Sequence, residues 1–247
     1  MLAKDFAKEI NADKIVLGDG EKFIKKVATC MVITPEVFYN IRDWGADIIV
    51  THEPTFLHGN DECDFPFYTA KKQMIEKTGM VVCRWHDAAH FGKEDLVHKT
   101  FVERLGLEGE FDGKFLFELK DLYSPLDIAK QIRKKFNIKQ PRIVGCRDGQ
   151  VQKIGLCLGA RGNEPFFDML SNDIDLIVAG ELCEWHCAEP VRDMSQMGMQ
   201  KSLIILGHAA SETDAMDDFA KYINNVFSKD GITAKYFECG ELYSYID

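Results

Sequence analysis

The chain predicts an α/β fold. Short apolar runs alternate with amphipathic helical patterns, and one strand-bearing unit occurs twice. Asp47-Ile-Ile-Val-Thr-His52-Glu53 and Asp175-Leu-Ile-Val-Ala-Gly180-Glu181 are each an apolar run that ends in polar groups. The likeness extends upstream, where Lys26-Val-Ala-Thr-Cys30 is matched by Lys153-Ile-Gly-Leu-Cys157. It extends downstream too, where Val82-Cys-Arg-Trp-His86 is matched by Ile204-Ile-Leu-Gly-His208. Strands joined through helical crossovers pair in parallel, so the expectation is similar α/β halves from an internal duplication, with mostly parallel sheets covered by helices.

The elements follow in order. Residues 27–33 read as a buried strand, 35–44 as a helix with Thr34 as its cap and Pro35 at its first position, and 46–51 as a second strand. A polar loop through Phe65 leads to a helix over 66–78, a strand over 80–85 and a helix over 93–105. Next come a short strand over 115–119, a helix opened by Ser124 and Pro125, a strand over 142–146 and a turn at Asp148-Gly149. The second copy reads as strand 151–158, helix 164–170, strand 174–179, helix 187–197 and strand 202–206. A helix capped by Ser211 and a strand over 233–237 close the sequence.

At 247 residues and 46% hydrophobic content the chain can bury a substantial core. The expected organisation is one compact body over 1–247, with halves at about 1–110 and 148–247 and a short connecting segment, 111–147. A net charge of −10 argues against binding to nucleic acid. The longest apolar runs are too short to cross a bilayer, and the N-terminus alternates charge, so the expectation is a cytoplasmic protein without a membrane partner. The eight cysteines are scattered through apolar strands, and most read as buried reduced thiols. Cys183-Glu-Trp-His186-Cys187 lacks the second pair of soft ligands that a structural zinc site needs.

In sheets of this kind, ligands bind outside the carboxyl ends of the strands. That end collects His52, Glu53, His86, His90, Glu181, His208 and Glu212. His86 with His90, and His208 with Glu212, are pairs four residues apart in a turn that enters a helix, where two side chains can converge on one ion. With His52 and Glu53 they make six imidazole or carboxylate donors, enough for two divalent ions drawing on both copies. The donor set suits zinc, iron, manganese or nickel better than calcium. Any one of these residues alone is more simply read as a surface or capping group, and the repetition is what raises the set above that reading. His58, His98 and His186 lack the repetition and read as structural. Gly159-Ala-Arg161-Gly162 reads first as a tight turn that needs glycine, and second as an anion site in which Arg161 steadies a substrate. Asp87 is placed to orient His86 or His90, or to remain solvated.

At these residues the chain resembles the Nif-three-like family of dinuclear metal proteins, whose members are often called GTP cyclohydrolase I type 2 homologues. The resemblance spans nearly the full length. The family's Thr-His-His-Pro is similar to Thr51-His52-Glu53-Pro54, and its Gly-His-x-x-x-Glu to Gly207-His208 with Glu212. Its Gly-Glu or Gly-Asp strand end matches Gly180-Glu181, and its Gly-rich turn matches residues 159–162. Two positions depart from the pattern: Glu53 replaces a histidine, and His90 stands where the His-x-x-x-Asp motif has aspartate. The number of donors is kept, so the ligand set is exchanged and not lost. The resemblance implies two intertwined similar halves and a homohexamer enclosing a cavity. The segment 114–147 leaves no room for the extra middle domain of the family's long members.

The leading functional expectation is a dinuclear-metal-dependent hydrolase of an unknown small molecule, with Glu181 as base; the resemblance suggests a nucleotide or cyclic amide. The alternative is a metal-binding chaperone, sensor or oligomeric interaction scaffold without turnover.

Overall fold

The computed structural model describes residues 1–56, 65–136 and 138–246. The first stretch carries α1 (Ala3–Glu9), β1 (Lys14–Leu17), β2 (Lys26–Cys30), α2 (Pro35–Trp44) and β3 (Ile48–Thr51). The second carries α3 (Pro66–Glu76), β4 (Val81–Arg84), α4 (Asp87–His90), α5 (Leu96–Leu105), β5 (Gly109–Phe111), β6 (Leu116–Tyr123) and α6 (Pro125–Lys135). The third begins with β7 (Arg142–Gly145), β8 (Val151–Cys157), α7 (Asn163–Ser171), β9 (Leu176–Ala179), a turn of π-helix (Glu184–Ala188) and α8 (Glu189–Gln196). It ends with β10 (Ser202–Ile205), α9 (His208–Phe227), a short 3-10 turn (Ser228–Asp230) and β11 (Thr233–Tyr236).

Two compact units result, one of residues 1–92 with 215–247 and one of residues 93–214. The first unit holds a five-stranded sheet in the order β1-β4-β3-β2-β11, parallel except for β1. The second holds a six-stranded sheet in the order β5-β6-β8-β9-β10-β7. Its inner strands β8, β9 and β10 are parallel, and β5, β6 and β7 are antiparallel to their neighbours. The segment expected only to connect the halves thus supplies β6, α6 and β7 to the second unit.

Local chemistry accounts for the helices that frame the strands. Thr34 accepts a hydrogen bond from the Val37 N–H and Pro35 presets the first turn of α2; Gly45, at φ 79°, ends it. Asp95 and Ser124 cap α5 and α6 in the same way. The central strands β3, β4, β9 and β10 read as continuous apolar runs because both their faces are covered. Phe38, Ile41, Ile49, Ile75 and Val82 fill the first core, and Phe166, Ile177, Val191 and Leu203 fill the second.

The duplication extends to individual hydrogen bonds. Asp47 Oδ2 accepts from the N–H groups of Lys25 and Lys26 at 2.8 and 3.0 Å, and Asp175 Oδ2 accepts from those of Gln152 and Lys153, both at 2.9 Å. The His52 N–H donates to the Cys30 carbonyl, and the Gly180 N–H to the Cys157 carbonyl, each at 3.1 Å.

Three features differ from the sequence reading. α1 and β1 lie where no element was expected. α9 begins at His208 and not after Ser211, because the Ser211 hydroxyl donates to the His208 carbonyl and accepts from the Gly159 N–H instead of capping a helix. The third strand of the repeat is also out of register: Arg84 pairs with Thr51 and Ile205 with Ala179, so His86 lies two residues past its strand and His208 three. Among the described residues no helix is long and apolar enough to cross a membrane.

Candidate metal centre

In the first unit the ends of β3 and β4 bring three imidazoles together. His52 follows β3 directly and is buried. His86 follows β4, and His90 ends the single turn α4, whose last N–H bonds back to the His86 carbonyl. The ring centroids lie 4.8 Å apart for His52 and His86, 5.1 Å for His52 and His90, and 4.8 Å for His86 and His90.

Their hydrogen bonds fix which nitrogens face inward. His52 Nδ1 lies 3.1 Å from the Trp85 carbonyl, which can only accept, so Nδ1 carries the proton and Nε2 keeps its lone pair. His52 Nε2 stands 3.2 Å from His90 Nε2. Two ligand nitrogens on one tetrahedral ion with bonds of about 2.1 Å lie about 3.4 Å apart, so this spacing fits joint ligation. Asp87 accepts from His86 Nδ1 at 2.9 Å, a carboxylate–imidazole arrangement that leaves Nε2 as the donor for a metal. One ligand atom from each of His52, His86 and His90 lies within 4.8 Å of the others, and Glu53 offers a carboxylate oxygen within the same distance of His52.

The second unit brings together the other predicted pair. His208 opens α9 and Glu212 follows one turn later, with His208 Nε2 3.2 Å from Glu212 Oε2. Glu212 is buried, whereas Glu181, after β9, is exposed and sets Oε2 3.6 Å from His208 Nδ1. His208 therefore stands between two carboxylates. A buried carboxylate beside an imidazole is expensive to hold charged unless a cation or hydrogen bonds balance it.

The glycine turn serves this pair. A Cβ on Gly180 would fall 2.4 Å from the Gly159 carbonyl oxygen, so the two strand ends approach closely enough to require glycine. Arg161 Nη2 pairs with the buried Asp95, the cap of α5. That pairing places the guanidinium in a structural contact, a partner the sequence did not indicate.

Of the histidines read as structural, His98 is buried with Nδ1 against the Lys114 carbonyl, and His186 makes tilted ring contacts with Trp185 and Phe167 at 4.7 and 5.2 Å. His58 lies outside the described residues. Among the described residues Cys30, Cys83, Cys157 and Cys187 are buried while Cys146, Cys183 and Cys239 are partly exposed, and burial pushes the Cys30 and Cys83 thiols up to about 12. Trp85 was missed as an orienting group because a backbone carbonyl leaves no mark in a sequence.

Known proteins share this arrangement of strands. A protein of Campylobacter jejuni named GTP cyclohydrolase 1 type 2 homolog is 27% identical over 218 residues, covering 86% of this chain and 83% of that one. A Staphylococcus aureus protein, SA1388, superposes with a TM-score of 0.80 at 15% identity, over 100% of this chain and 99% of that one. A Bacillus cereus protein related to NIF3 does so with a TM-score of 0.76 at 12% identity, over 100% and 99%. The family pattern described as Duf34/NIF3 (NGG1p interacting factor 3) matches residues 1–239, and the chain belongs to that family.

Proposed function

We propose that the protein is a metal-dependent hydrolase that holds two divalent ions, of zinc, iron, manganese or nickel, through His52, Glu53, His86, His90, His208 and Glu212. The observation that carries this reading is the three-imidazole cluster. His52 and His86 each commit Nδ1 to an oxygen acceptor, and His52 turns Nε2 toward His90. Such orientation suits metal-binding imidazoles, and what distinguishes these three from a singly held histidine such as His98 is their convergence, one ligand atom of each lying within 4.8 Å of the others. When bound, ions of this kind lower the pKa of a water and polarise a carbonyl, ring carbon or phosphoryl group. Glu181 is exposed beside His208 and is the carboxylate available to take a proton from that water. Arg161, in the glycine turn and paired with Asp95, is the group that would steady an anionic substrate in this reading. The relatives named GTP cyclohydrolase 1 type 2 homolog point to a nucleotide or related cyclic amide as the class to test first.

Elemental mass spectrometry of protein purified without chelators tests the metal, and hydrolysis assays on GTP, phosphoesters and cyclic amides test the chemistry. The expected result is about two ions per chain, with fewer in both His52→Ala and His208→Ala, and turnover that disappears with the metal. Protein without metal overturns the site. Loaded protein that hydrolyses none of the three classes overturns the hydrolase.

A further inference from the structure

Asp13 stands just before β1 and meets the turn that carries His86. Its Oδ1 accepts from the backbone N–H of His86 at 3.3 Å and of Asp87 at 3.0 Å. Its Oδ2 accepts from the His86 N–H at 3.2 Å and from Arg84 Nε at 3.0 Å. The Asp13 N–H donates in turn to the Arg84 carbonyl at 2.9 Å. Main chain and side chain thus grip the same short segment, and the Asp13 side chain is only 9% exposed.

By composition, Asp13, His86 and Asp87 could themselves be taken for a metal site, since one ligand atom from each lies within 4.8 Å of the others. The hydrogen bonds argue otherwise. Both oxygens of Asp13 face N–H donors, and the Arg84 guanidinium balances its charge. Asp87 spends its Oδ1 on His86 Nδ1. What Asp13 stabilises is the start of α4, a single turn too short to persist through its own hydrogen bonds. A carboxylate that accepts the first free N–H groups of such a turn supplies the missing partner.

We propose that Asp13 is a positioning residue of the three-histidine cluster. By accepting the His86 and Asp87 N–H groups it fixes the turn from whose two ends His86 and His90 face His52. The inference rests on the metal-binding reading above and adds the group that sets its geometry.

Asp13→Asn tests it, because the amide keeps the shape but replaces one of the two acceptor oxygens with an NH2 group that faces N–H donors. Cobalt(II) is titrated and followed by visible absorption, and the histidine ring resonances of the metal-free protein are compared by NMR. The expected result is a folded protein whose cobalt affinity falls about 10–100-fold, with the His86 and His90 ring resonances shifted and those of His208 unmoved. Arg84→Gln, which leaves both N–H acceptors in place, keeps the wild-type cobalt spectrum. Should Asp13→Asn not fold, Asp13→Ser, which retains a short acceptor, is expected to fold and to show the same selective shift. Wild-type affinity, spectrum and ring resonances in the Asp13 variant overturn the proposal, and so does a shift shared equally by His208. If the wild type binds no cobalt, the metal reading fails, and the ring resonances still decide whether Asp13 holds the turn.

Discussion

At Gly159 the backbone takes φ 68°, and a Cβ built there would sit 2.2 Å from Oε1 of Glu212. Gly162 also has a positive φ, 80°, but a Cβ there would meet nothing within 4 Å. The two positions separate backbone strain from displacement of the carboxylate. Gly162 combines its φ of 80° with ψ −172°, a region essentially reserved for glycine, and alanine at either position is strained by about 1–3 kcal/mol. Only Gly159→Ala also pushes Glu212 away from His208. Both variants are expected to melt lower than wild type, with metal content reduced in Gly159→Ala and unchanged in Gly162→Ala. Melting curves and elemental analysis of the pair provide the check, and full metal content in Gly159→Ala would show that Glu212 is not held by this contact. The sequence made the glycine turn visible but assigned it to an anion or to turn geometry. Its link to Glu212 was hidden because the two residues are far apart in the chain and meet only when β8 and α9 pack.

The strands of the repeat show what the sequence could reveal about elements. β2, β3 and β4, and their counterparts β8, β9 and β10, are mostly apolar runs each followed by a helix, and that pattern survives in both copies. α1 and β1 left no such pattern: α1 is a seven-residue helix whose N-cap makes no side-chain hydrogen bond, and β1 is a half-exposed edge strand with an irregular register. The third strands were shifted by one residue because the apolar runs before His86 and His208 look alike, and only pairing with the neighbouring strand shows where each ends. The paired aspartates are a firmer mark of the duplication. Asp47 and Asp175 each accept two successive N–H groups at the start of the preceding strand, Lys25 just before β2 with Lys26 in it, and Gln152 and Lys153 in β8, so each holds that strand's entry. Hydrogen bonds to charged groups contribute about 1.5–3 kcal/mol when buried, and partial exposure here lowers that to about 1 kcal/mol. Asp47→Ala and Asp175→Ala should therefore lower stability by similar amounts in urea unfolding. A large loss in one and none in the other would mean that the repeated contact does not have a repeated role.

For the molecule as a whole, the proposed metal site would tie folding to metal. His52, His86 and His90 come from the ends of two neighbouring strands and the turn α4, and they assemble only when β3 and β4 pair. The unfolded chain has no such cluster, so an ion that binds it favours the folded state by RT ln(1 + [L]/Kd). At a free metal concentration of 100 Kd this is about 2.7 kcal/mol. For a chain of this size each kcal/mol moves Tm by about 2–4 °C, so saturation should raise Tm by about 5–10 °C over chelated protein. Calorimetry with and without chelator, across a metal titration, measures it. The shift should grow with the logarithm of free metal once the site is full. It should shrink in His52→Ala, because the Nε2 that faces His90 is gone. Replacing Cys30 by alanine, a fully buried side chain of the first core that belongs to none of the ligand clusters, should lower Tm through lost packing but leave the metal-dependent shift intact. Identical melting with and without chelator in the wild type would show that the imidazoles are placed by folding alone and that no ion contributes to holding them.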